Sequence, residues 1–199
     1  YALLNYGVDR NGMHNPVQMI AWGSGQNALQ AYVTIPFIAL FDLSVFSIRV
    51  VPALFGVFCL ALFYWVARKI AGPRLAVVAL FVLAISPWHI VLSRWALESN
   101  FLPGTMLIAM ALLIFAQERP RLLYVSFAFF AISLYAYSTA YAFVPAFFLM
   151  YGIYALWHKI YSIKDWVIAC AVFTVVATPI MLFVIVNLFK LETIDLGLF

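Results

Sequence analysis

"SPWHIVLSRWALESN", residues 86–100, breaks into sequence that is otherwise apolar: it sets Pro87, Trp88 and His89 at the end of the hydrophobic run 75–92, and Arg94 and Glu98 between that run and the next, 101–116. A bilayer core excludes such side chains unless they face a partner, a cavity or water. The surrounding composition shows that a bilayer is the right solvent to consider. Of 199 residues, 67% are hydrophobic and 9% charged, and the mean hydropathy is +1.07. No soluble domain hides that much apolar surface, so the chain reads as an all-α integral membrane protein, lipid offering no partner for open strand edges. The net charge of +4 forms no basic stripe, which excludes a nucleic-acid footprint.

Six apolar runs approach the roughly 17–25 residues a spanning helix needs: 50–67, 75–92, 101–116, 122–137, 140–157 and 166–189. A seventh, "ALQAYVTIPFIALF" at 28–41, is shorter and contains Pro36, and reads as a helix lying along the membrane surface. The chain therefore divides into an outer loop and surface helix (1–49), six transmembrane helices (50–189) and a tail (190–199). Basic residues orient it. Arg68, Lys69 and Arg74 separate the first two runs, Arg119 and Arg121 the third and fourth, and Lys159 and Lys164 the fifth and sixth. Cationic loops stay cytoplasmic, so residues 1–49, the 86–100 stretch, the Ser138-Thr139 turn and the tail face the extracytoplasmic side. The polar opening "YALLNYGVDRNG" has no span before it, so a preceding transmembrane helix is expected, with a continuation beyond Lys190.

The outward polar residues are the candidate site. Arg94 and Glu98 are four apart, which on a helix is ion-pair reach. The Arg94 fork also suits a lipid-linked phosphate. Asn100 and His89 can hydrogen-bond a sugar, and Glu98 can act as a base. The plain alternative is an Arg94–Glu98 pair that only caps a helix. Trp88 and Trp95 read first as interface anchors, and Arg49 as a snorkelling cation. Asp9, Arg10, Asn11, His14, Asn15, Gln18, Gln26 and Asn27 precede the surface helix, with turns marked by Gly7, Gly12, Gly23 and Gly25. Carboxylate, amides and aromatics suit a sugar-binding surface, as they suit any exposed loop. "GSGQNA" lacks the Gly-Lys-Ser/Thr ending of a P-loop. His14 and His89 show no zinc spacing, so no metal site and no cofactor are expected, although dependence on a divalent metal stays open. Cys59 and Cys170 lie inside apolar runs and read as buried free thiols.

Four segments together resemble the bacterial GT-C glycosyltransferases, the superfamily of protein-O-mannosyltransferases and aminoarabinose transferases, in its dolichyl-phosphate-mannose–protein mannosyltransferase-like branch. They are "YALLNYGVDRNG", "ALQAYVTIPFIALFDLSVFSIRVVPALFGVFCLALFYWVARKIAG", "AISPWHIVLSRWALESNFLP" and "LYAYSTAYAFVP", within residues 1 to about 150. The resemblance implies a GT-C-like polytopic bundle with an outer-face surface helix, a polyprenyl-phosphate sugar donor, a lipid, glycan or protein acceptor, and inversion at the sugar. It implies that a carboxylate in the first outer loop deprotonates the acceptor and that cations meet the leaving phosphate. On this chain Arg94 would contact phosphate, Glu98 would orient Arg94 or the sugar, His89, Asn100 and Arg10 would bind substrate, and Asp9 and Asn11 would line the acceptor side. The family's acidic pair normally stands just before "YALLNYG" and is not in the chain. Asp9 is then a secondary candidate base, and the chain by itself is expected to be inert. The family's Asp-Tyr-Lys before the surface helix is "SGQNA" here, and a basic residue common after the tyrosine motif is Tyr141. The rival reading is a non-enzymatic transporter or scaffold for lipid-linked substrates. Transport would want charge deep in a span, and no run has one.

Overall fold

The computed structural model describes residues 1–21 and 24–189; the expected tail 190–199 lies outside the described residues. The order is α1 (Ala2–Tyr6), a hairpin β1 (Gln18–Ala21) and β2 (Ser24–Asn27), α2 (Leu29–Phe41), α3 (Val45–Ala71), α4 (Pro73–Ile85), α5 (Pro87–Arg94), a 3₁₀ turn (Glu98–Asn100), α6 (Phe101–Ala116), α7 (Arg121–Leu134), α8 (Ala140–Trp157) and α9 (Ile163–Phe189). The hairpin is antiparallel, pairing Gln18 with Asn27. It occupies a stretch that reads as loop in the sequence.

Local signals set these boundaries. At the start of α3, Ser44 Oγ accepts the Ser47 N–H at 3.2 Å and Ser47 Oγ accepts the Ser44 N–H at 3.0 Å, a reciprocal cap. At its end, Arg68 and Lys69 face the negative end of the helix dipole. Gly72, at φ 83°, then turns the chain straight into Pro73 at the first position of α4.

Among the described residues, four helices are long and apolar enough to cross a membrane: α3, α8, α9, and α6 with its 3₁₀ turn. The run 75–92 is not one straight span. It is α4 and α5 joined at a 59° bend, because Pro87 forces Ser86 out of helical geometry, to φ −61° and ψ 122°. The run 122–137 also departs from expectation. It gives a helix of 14 residues, α7, shorter than a straight span needs.

What α7 does instead is fill the core. Leu123, Phe127, Phe130, Ala131 and Leu134 are fully buried against α6, α8 and α9. Phe127 stacks on Phe148 with ring centroids 4.5 Å apart, and Phe130 on Phe147 at 5.1 Å. The buried Ser126 hydroxyl donates to the Ala109 carbonyl of α6 at 2.7 Å, the kind of interhelical bond that joins helices in lipid. Tyr135, just past α7, donates its hydroxyl to the Val176 carbonyl at 2.7 Å, in the turn of α9 that Pro179 loosens. A second, smaller core of Val51, Phe101 and Ala136 joins α3 and α6.

The three basic connections lie at one end of the bundle. Lys69 Nζ meets Glu118 Oε1 at 2.6 Å, tying the end of α3 to the turn after α6. Tyr124 donates to Asp165 at 2.5 Å, tying α7 to α9. Tyr161 donates to the Leu113 carbonyl at 3.3 Å. The hairpin, α2 and the 86–100 stretch gather at the other end.

Candidate functional site

α5 sorts the signature residues. Successive helical residues are about 100° apart, so positions 90, 91 and 94 share one face and 89, 92 and 93 the opposite one. On the first face, Ile90, Val91, Arg94 and the following Trp95 form a surface groove together with Arg49 of α3. Two guanidinium groups therefore share a groove whose other walls are apolar. On the second face, His89 and Ser93 line a cavity of about 140 Å³ between α3, α5 and α6, walled also by Phe55, Cys59 and Asn100. The Asn100 amide is engaged: its Nδ2 donates to the Leu92 carbonyl at 3.1 Å and to that of Trp95. Asn100 thus closes the turn after α5.

The alternative Arg94–Glu98 ion pair does not form. α5 stops at Arg94, and Trp95 is extended at φ −106° and ψ 118°, so a spacing of four no longer places the two side chains on one helical face. Among the described residues the ion pair is Lys69–Glu118. Glu98 instead opens the 3₁₀ turn. It takes the backbone N–H of Asn27, while its Oε2 is buried without a partner among the described residues. Asn27, 4% exposed, donates its Nδ2 to the Leu134 carbonyl at 2.9 Å and to the Tyr141 hydroxyl at 3.3 Å. The hairpin end at Asn27 and the tyrosine at 141 are thus bonded to each other.

Around this junction lies a cavity of about 240 Å³ whose walls include Gln26, Asn27, Gln30, Thr34, Ile48 and Ala96. It adjoins the arginine groove on two elements at once. On α3, Ile48 lines the cavity and Arg49 the groove; at the end of α5, Arg94 and Trp95 line the groove and Ala96 the cavity.

Asp9 sits further along the hairpin side, lining another cavity with Arg10, Met19 and Gln26. It is buried, and its Oδ1 accepts the backbone N–H groups of Asn11 at 2.7 Å and Met13 at 2.9 Å. One carboxylate oxygen therefore shapes its own turn, which the Val8–His14 bridge closes. Asn11 enters through its backbone, and its side chain is exposed. Burial, and then the Asp9 charge, raise the Tyr32 hydroxyl above its ordinary value.

The structure thus brings Arg94 to Arg49, and Glu98 to Asn27 and Tyr141, but separates both from His89. Arg49, Asn27, Gln30 and Tyr141 are the participants that sequence reading undervalued. Arg49 had a readable signal, a cation at the outer end of a span, but its convergence with Arg94 depends on the bend at Ser86.

Residues 28–183 match the family model described as dolichyl-phosphate-mannose-protein mannosyltransferase. The chain belongs to that family. The expected GT-C membership and polytopic helical membrane fold are thereby confirmed, and the chain is a multi-pass membrane protein. ArnT from Cupriavidus metallidurans, solved bound to undecaprenyl phosphate, superposes with a TM-score of 0.67 at 18% identity, over 90% of this chain and 35% of that one. Its apo structure gives 0.66 at 17% identity, over 96% and 38%. The chain therefore spans little more than a third of the solved proteins it resembles. No curated protein matches it.

Proposed function

We propose that this family member contributes the donor side of a membrane glycosyltransferase that moves a sugar from a polyprenyl phosphate to an acceptor on the outer face of a bacterial inner membrane. The observation that carries the reading is the groove of Arg49 and Arg94 beside the amide-lined cavity. The arginine forks meet the donor phosphate and offset its growing charge as the sugar leaves. Ile90, Val91 and Trp95 accompany the first isoprene units. The sugar lies in the adjoining cavity, where Gln26, Asn27 and Gln30 offer both donors and acceptors to hydroxyl groups. None of those amides carries charge, which suits an uncharged sugar. Glu98 positions Asn27, and through it the cavity wall. Asp9 and Arg10 line the acceptor approach.

Family membership and the ArnT complex with undecaprenyl phosphate support this reading over a transporter or scaffold. The test is donor binding by the full-length protein. Arg49→Ala and Arg94→Ala should each weaken binding of a polyprenyl-phosphate sugar by about tenfold or more, the scale of a lost charge-assisted bond. Unchanged donor affinity in both variants would refute it.

A further inference from the structure

The end of the bundle opposite the candidate site carries an imbalance that glycosyl transfer does not use. Seven of the eleven Lys and Arg residues lie there, Arg68, Lys69, Arg74, Arg119, Arg121, Lys159 and Lys164, against two acidic residues, Glu118 and Asp165. Both acids are already engaged from within the fold. Lys69 donates to Glu118 at 2.6 Å, and that hydrogen bond, with the lysine's charge, holds the carboxyl below the ordinary carboxylate range. Asp165 accepts from the Tyr124 hydroxyl at 2.5 Å and from the Ser162 hydroxyl at 2.6 Å. Lys69 is committed in turn, its Nζ lying 4.7 Å from the centre of the Phe115 ring as well as against Glu118. Arg68, Arg74, Arg119, Arg121, Lys159 and Lys164 are exposed, and none of them makes a salt bridge among the described residues.

Four of these six cations are not scattered. The Lys69–Glu118 and Tyr124–Asp165 contacts link the ends of α3, α6, α7 and α9, so Arg68, Arg119, Arg121 and Lys164 follow one another across the base of the bundle. Exposed aromatics mark the depth of that base. Trp157 is 82% exposed at the end of α8, and the Arg68 guanidinium lies 5.6 Å from the centre of the exposed Trp65 ring. Indole rings settle at headgroup level, which puts the neighbouring cations at the depth of lipid phosphates.

We infer that this end is a binding surface for anionic phospholipid headgroups, which supply the counter-charge that the fold does not. Orientation during insertion explains why these loops are basic. It does not require that the two local carboxylates be satisfied internally, leaving six cations without a salt bridge.

The probe is phosphatidylglycerol against phosphatidylcholine, with the full-length protein in nanodiscs. Phosphatidylglycerol should be retained preferentially in native mass spectrometry and should raise the thermal midpoint, and high salt should abolish that rise. Arg119→Gln, Arg121→Gln and Lys164→Gln should each lower the preference by about fivefold, whereas Arg119→Lys should keep most of it. Should the glutamine variants fail to fold, the salt dependence of the wild-type midpoint carries the test. Equal retention of the two lipids, a salt-independent midpoint, or a preference that survives all three glutamine substitutions would each overturn the inference.

Discussion

Asn27 shows how a neutral side chain holds the candidate site together. Its amide joins the hairpin to α7 through the Leu134 carbonyl and to α8 through the Tyr141 hydroxyl, and its backbone N–H supports Glu98. The two bonds are not equivalent. Asn27→Ala leaves a buried carbonyl at Leu134 without its donor and should lower stability by about 1–3 kcal/mol. Tyr141→Phe removes only the longer bond, to a hydroxyl, and should cost about 0.5–1.5 kcal/mol. Thermal unfolding of the two variants checks the order, and a larger loss in Tyr141→Phe would contradict it. Little of this was legible in sequence. Asn27 looked like one of many loop amides because its partners lie more than a hundred residues away. Arg94 and Glu98, conversely, looked like an i, i+4 pair, and that inference failed because the helix between them ends at Arg94.

At the scale of elements, hydrophobic runs located most helices to within a few residues. α6 and α8 have the expected bounds, and α3 and α9 extend beyond theirs at caps and turns. The two departures have separate causes. α7 is short yet mostly apolar because much of its surface packs on other helices rather than on lipid, and hydropathy cannot distinguish those solvents. The α4–α5 bend was encoded in Ser86-Pro87, but the apolar run continued to residue 92 and masked it. That bend brings α5 against α3, so that Arg94 and Arg49 line one groove. Pro87→Ala restores a backbone donor and lets Ser86 become helical, so the 59° bend should open toward a straight helix. Spin labels at Val77 and Val91 should then move apart, and donor affinity should fall with the displaced arginine. An unchanged distance distribution would show that packing, not Pro87, sets the angle.

At the scale of the whole molecule, the resemblance carried by residues 1 to about 150 gave the architecture correctly, but it could not show how the two cores are joined. α3 and α6 meet closely at a glycine, which hydropathy does not register. Gly104 of α6 packs where an added Cβ would collide with the Phe55 ring, and would stand 2.7 Å from Cys59 Sγ of α3. The ring has little room to yield, since it stacks on Phe101 with centroids 4.8 Å apart and planes 17° apart. In lipid, where apolar burial drives helix association weakly, such small-residue contacts carry much of the packing. Gly104→Ala should therefore destabilise by about 1–3 kcal/mol through overpacking, and it should distort the cavity that His89 lines, which shares Phe55, Cys59 and Gly104 as walls. Gly152 of α8 supplies the control: nothing lies within 4 Å of its added Cβ, so Gly152→Ala should be neutral or stabilise by up to about 1 kcal/mol through helix propensity alone. The thermal midpoints of the two variants in one detergent separate the effects. If both shift by the same amount, the α3–α6 contact is not what joins the site-bearing half of the bundle to the rest.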